Sequence, residues 1–232
     1  TISMQAKEQT AAALITIILM VLRANAEEGS PPAGKKAHID IYKFLNTHEP
    51  ILSYTIKTDL GVLCKVDFYR NTTASGTLFE RFYWGPTRIG AKERTYHLSL
   101  KGVFGNSGGE ENEGFNTMYV SEDAEDQGSR DTSINYESIY SVEKIEYQSE
   151  DDKCAIFAVK PGGGSRVSHS YEFRIRSSAI ADSSKPSCFS DVQGFVNKLR
   201  HQRLQVPQTA MLINCRQKCV NNLSCSSYMT RS

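Results

Sequence analysis

A chain of 232 residues with 27 basic and 26 acidic side chains, net charge +1, lacks the basic excess that nucleic acid or an anionic membrane surface requires. Its length suits a single all-β domain. Its six cysteines, an even set, read as three disulfides of an oxidising compartment.

From the N-terminus, Met4 reads as the start, preceded by three stray residues. Lys7, the apolar run from Ala11 to Leu22 and then Ala24-Asn25-Ala26 follow the order of a secretory signal peptide over residues 1–26. That run is 12 residues long, against about 20 for a membrane span. A secreted, extracellular domain over 27–232 is therefore expected. Loss of Lys7, Arg23 and Glu8 leaves it with 25 basic and 25 acidic residues.

Glu27 to Lys36, with Pro31, Pro32 and Gly34, reads as a lead-in, and Ile39, Tyr42, Phe44 and Leu45 suggest a short helical turn. The period then becomes two. Leu52, Tyr54 and Ile56 alternate with Ser53, Thr55 and Lys57, and Val62, Cys64, Val66 and Phe68 alternate with Lys65 and Asp67, which predicts a hairpin around Gly61. Further strands are predicted at Thr77–Trp84, Arg94–Val103, Asn116–Ser121, Ser138–Gln148, Lys153–Val159 and Ser168–Arg176, several of them divided by Gly or Pro. Asn71-Thr72-Thr73 and Asn222-Leu223-Ser224 are glycosylation sequons. An acidic segment near 105–131, with Glu110, Glu111, Glu113, Glu122, Asp123, Glu125 and Asp126, reads either as a solvated loop or as a rim that draws a cationic ligand.

About eight antiparallel strands can close as an up-and-down barrel with no free edge, or form a sandwich. The predicted helix Ser190–Arg203 favours the barrel. Phe189, Val192, Phe195, Val196 and Leu199 give it an apolar stripe, Ser190 and Gln193 form a capping box, and Lys198, Arg200, His201 and Arg203 suit its negative end.

Cys154-Ala155-Ile156, Tyr171-Glu172-Phe173-Arg174 and Cys188 form a spaced frame, and Asp40, Lys43 and Leu45 form a looser lead. Together they resemble the tick salivary lipocalins, the family that includes the histamine-binding proteins, over most of the chain from Ile39 through Cys215. The resemblance implies an eight-stranded antiparallel barrel with a C-terminal helix packed outside. It implies the pairs Cys154–Cys188, Cys64–Cys215 and Cys219–Cys225, one of the 15 arrangements that six cysteines allow. It also implies a monomer that sequesters a host mediator, histamine or another biogenic amine, to suppress host defence. The family's amine motif has Asp, Leu and an aromatic residue where this chain has Ala155, Phe173 and Arg174.

An ammonium inside an apolar barrel needs carboxylates to offset desolvation, helped by aromatic faces. The candidate ligand-binding residues are Glu172, Arg174, Tyr54, Trp84, Tyr96, Tyr140 and Glu146, within a wider set of aromatics (Phe68, Phe82, Phe115, Tyr119, Tyr136) and carboxylates (Asp67, Glu80, Glu137). Side chains 172 and 174 share a strand face. Two placements stay open for that face. It faces water if Tyr171, Phe173 and Ile175 are the buried set. It faces inward if the helix covers the strand, so that Arg174 either neutralises Glu172 or grips the carboxylate of an eicosanoid or fatty acid.

Catalysis is not expected. His38, His48, His97, His169 and His201 show no metal-ligand spacing, and Gly162-Gly163-Gly164 lacks the Lys and helix of a phosphate loop. Six paired cysteines leave no thiol nucleophile. No metal or cofactor is expected. A host protein held by the acidic loop or the Cys215–Ser232 tail is the remaining partner class.

Overall fold

The computed structural model describes residues 39–57, 64–86, 93–107, 114–123, 139–162, 169–181, 188–198 and 208–230. Eight strands follow one another in chain order: β1 (Ile51–Lys57), β2 (Cys64–Thr73), β3 (Gly76–Pro86), β4 (Glu93–Gly105), β5 (Thr117–Glu122), β6 (Ile139–Gln148), β7 (Cys154–Pro161) and β8 (Ser170–Arg176). Each pairs antiparallel with its neighbours and β8 returns to β1, so the sheet closes as a lipocalin-type barrel. Every predicted strand is present, within about two residues at most ends.

Alternation along the strands divides two apolar layers. Leu52, Tyr54, Ile56, Val66, Phe68, Phe82, Trp84, Ile156, Phe173 and Ile175 point outward and join one core with the C-terminal helices. The opposite faces supply Ile51, Tyr69, Phe79, Leu100, Phe104, Met118, Val120, Ile145, Ala155, Phe157 and Val159, which join residues of the first helix in a second core inside the barrel. Gly102 leaves room for the Met118 sulfur, which a Cβ there would meet at 2.3 Å.

Helix α1 (Ile41–Leu45) closes one end. Asp40 caps it by accepting hydrogen bonds from the backbone N–H groups of Tyr42 and Lys43. Ile41, Phe44 and Leu45 are fully buried, and the Phe44 ring meets Phe157 at 5.7 Å. Arg176 Nη2 donates to the carbonyls of Lys43 and Phe44, tying the helix C-terminus to β8.

Four more helices follow: α2 (Ser177–Ala181), α3 (Cys188–Lys198), α4 (Thr209–Val220) and α5 (Leu223–Met229). Helix α3 lies on the outside of β8 and β6 through Phe189–Phe173 and Phe195–Tyr147 ring contacts. It begins at Cys188, so Ser190 sits within the first turn and does not cap it; residues 199–203 of the predicted helix lie outside the described residues. The disulfides are Cys64–Cys215, Cys154–Cys188 and Cys219–Cys225, the connectivity that the resemblance implies. They fasten α4 to β2 and α3 to β7. The predicted signal segment and most of the acidic segment lie outside the described residues. No helix among the described residues is long and apolar enough to cross a membrane.

Candidate ligand site in the barrel interior

Arg81 on β3 and Glu143 on β6 stand three strands apart around the wall, yet Arg81 Nη1 donates to Glu143 Oε1 at 2.8 Å. Such a bond can only cross the interior. Arg81 also clasps Asp67, directly opposite on β2, through Nε and Nη2 at 2.8 Å each. This is the two-pronged fit of a planar guanidinium to a carboxylate. On β8, Arg174 Nη2 donates to Glu143 Oε2 at 2.5 Å and to Glu172 Oε2 at 2.9 Å. Lys65 Nζ donates to Glu172 Oε1. Tyr69 and Ser141 add hydroxyl donors to Asp67 and Glu143. The network thus joins three cations (Lys65, Arg81, Arg174) to three carboxylates (Asp67, Glu143, Glu172) and carries no net charge.

Arg81, Arg174 and all three carboxylates are at most 2% exposed. Burial alone disfavours a charged form. For Glu143, burial pushes the carboxyl up, but the Arg174 and Arg81 charges outweigh it and hold the group well below the usual carboxylate range. In Glu172, burial is likewise overcome by Lys65 and Arg174, which lower the carboxyl. Burial opposes the charge on Arg174, and Glu143 and Glu172 reverse the balance and raise its pKa. Glu143, Glu172 and Arg174 therefore stay ionised at neutral pH.

Its hydrogen bonding is incomplete on one side. Arg174 Nε and Nη1 are buried and meet no acceptor among the described residues, nor does the buried Ser53 hydroxyl. Ser53 pairs in register with Arg174 on one side and Lys65 on the other. The Arg174 guanidinium lies over the Phe157 ring, 4.0 Å from its centroid. Nη2, shared by both edges of the guanidinium, is already taken by Glu143 and Glu172. An incoming acceptor would meet single hydrogen bonds from Nε, Nη1 or Ser53, not the bidentate grip that the sequence suggests.

Across from these charges, Leu100 and Val120 make the β4–β5 wall apolar, with Phe157 and Val159 on β7. Toward the end away from α1, Tyr83 stacks on Tyr96 at 4.6 Å. Tyr140, 38% exposed, stands near Tyr83, and its partial burial pushes its phenol up to about 12. Strand β6 slips register at Tyr140, between the pairs Val120↔Ser141 and Ser121↔Ile139, and such a bulge re-aims a side chain.

Glu172 and Arg174 meet inside the barrel as the inward placement requires, while Tyr96 and Tyr140 stand at its tyrosine-lined end. Tyr54 and Trp84 lie instead in the outer core beneath the helices. Glu146 sits where β6 shifts register against β7 and pairs with Lys144 at 3.3 Å, away from the network. Glu80 is buried on the outer face, where it accepts hydrogen bonds from Arg70 and Ser99 and meets His97 at 2.8 Å. Tyr136 and Glu137 lie outside the described residues. Sequence reasoning missed Lys65, Arg81 and Glu143. The alternation Ser141-Glu143-Ile145 was the available signal for Glu143, and it reads equally well as a solvent face. Among the described residues, no group of three or more His, Cys, Asp or Glu side chains is placed to hold a metal ion.

Compared with protein-family models and with curated proteins, the chain matches none. The class rests on the fold: an eight-stranded lipocalin-type barrel whose interior carries an ionised, partly unsatisfied polar layer.

Proposed function

We propose that the protein is a secreted binding protein that encloses a small host mediator within the barrel, and that this mediator is an acid with an apolar body, of the fatty-acid or eicosanoid kind. The observation that carries the reading is the buried Arg174 Nε and Nη1 beside the buried Ser53 hydroxyl, none of which has a partner among the described residues. Buried donors without acceptors are costly, and an acceptor-bearing ligand removes that cost. The apolar wall of Leu100, Val120 and Val159 suits the rest of such a molecule. A biogenic amine, the expectation from family resemblance, finds less support, because each carboxylate of the network already faces a cation of the chain. Extracellular disulfides would hold the barrel rigid for slow release.

The test is calorimetric titration of the disulfide-intact protein with arachidonate and its oxygenated derivatives, alongside histamine and serotonin. Saturable acid binding is expected, weakened roughly 10- to 100-fold in Arg174→Ala, the value of one or two charge-assisted hydrogen bonds. Acid binding indifferent to Arg174→Ala would remove the proposed anchor. Silence toward every small molecule would transfer the function to capture of a host protein, for which the exposed Ile213, Val220 and Leu223 on α4 and α5 offer an apolar surface.

A further inference from the structure

Lys65 carries the single primary ammonium of the interior network, and it is bound to a buried carboxylate. Its stem rises from β2 beside Tyr83, its register partner on β3, and its other register partner is Ser53. The side chain is 13% exposed and Glu172 is 2% exposed, so the ion pair lies within the wall and not on the rim. The two arginines are each fixed by two carboxylates, whereas Lys65 holds one oxygen of one. It is the most loosely tied cation of the three.

We infer that Glu172 is a latent binding site for a primary alkylammonium, held shut by the chain's own Lys65. The lysine side chain beyond Cβ, the part that an alanine lacks, is chemically an n-propylammonium ion. Its removal would leave a space of that size and an interior network with three carboxylates against two guanidiniums, a net charge of −1. A buried carboxylate short of a cation binds one strongly, because neither water nor the protein offers an alternative partner. The tyrosine rings of Tyr83, Tyr96 and Tyr140 at the same end would supply faces for the cation or for an aromatic ring attached to it. Lys65 is thus a specificity-determining residue. With it in place the interior is closed to amines and its remaining unsatisfied groups are donors, which fits the acid-binding reading. The inference rests on that reading only in requiring that small molecules reach the interior.

The experiment is chemical rescue. Wild type, Lys65→Ala, Lys65→Met and Lys65→Ala/Glu172→Gln are refolded with their disulfides intact. Each is titrated with n-propylammonium chloride, histamine and sodium chloride, with melting temperature and calorimetric heat as readouts. Lys65→Ala is expected to bind both amines roughly 10- to 100-fold more tightly than wild type, Lys65→Met or the double variant. If Lys65→Ala folds only with help, n-propylammonium and not sodium is expected to restore it, and failure in both salts would overturn the inference. Equal amine affinity in wild type and Lys65→Ala would overturn it too, as would rescue that survives Glu172→Gln. The acid titration of wild type, which depends on Arg174, succeeds or fails independently of these outcomes.

Discussion

Arg81 is the residue on which the interior depends most. Its guanidinium satisfies Asp67 with two hydrogen bonds and reaches across the barrel to Glu143, so it ties β2, β3 and β6 through one planar group. Arg81→Met keeps most of the volume, strands the buried Asp67 carboxylate and leaves Glu143 with Arg174 as its one cation. A loss of about 3–5 kcal/mol is expected, as for other buried pairs broken from one side. Urea unfolding of the two proteins checks it, and a change within about 0.5 kcal/mol would show that solvent already reaches Asp67 and Glu143. Adding Asp67→Asn to Arg81→Met should recover part of the loss, because the pair is worth less than the penalty for an orphaned charge. Glu172 and Arg174 were legible as a pair from their spacing alone. Lys65, Arg81 and Glu143 were not, because a charged residue on an alternating strand ordinarily faces water.

At the level of elements, the barrel reverses the usual sense of that alternation on its helix-covered side. Tyr171, Phe173 and Ile175 are apolar because they meet α3 and the outer core, and Glu172 and Arg174 are charged because they meet counterions inside. Strand positions were therefore readable from period two, while the face toward the lumen was not. The same ambiguity put Tyr54 and Trp84 among the lining candidates, when they are the surface on which the C-terminal helices rest. Helices α4 and α5 went unread because α4 is weakly amphipathic: Leu212, Cys215 and Cys219 are its buried contacts, and a disulfide fixes it where a longer apolar stripe would otherwise serve. Replacing Cys64 and Cys215 by Ala should accordingly cost about 2–5 kcal/mol. It should also raise hydrogen exchange in α4 more than in β6. Uniform exchange across both elements would mean that α4 is held by packing alone.

For the molecule as a whole, the network sets an acid limit on stability. Glu143 and Glu172 have folded pKa values below their unfolded ones. Their contribution is complete above the unfolded carboxyl value of about 4.3 and fades as pH falls through the lower folded values. The melting temperature should stay level from about pH 8 to about pH 5 and drop only in stronger acid. A midpoint between about pH 6 and pH 7 would contradict the assignment of these carboxyls. The tyrosines set the alkaline limit with the opposite sign. Tyr140 is raised to about 12, so its contribution is present below the unfolded value of about 10 and is lost between the two. Ultraviolet titration should show a fraction of the phenols ionising only there, and a single step near the free value would exclude it. The Cys64–Cys215 bond, spanning 151 residues, carries a further meaning for biosynthesis. As the chain emerges, Cys64 must remain reduced until nearly all of it has been made. Cys154 and Cys188 appear before Cys215 and can join each other 34 residues apart. Productive oxidation is thus favoured when β2 already lies against its neighbours, so that its sulfur is shielded from the thiols made before Cys215 and open to α4.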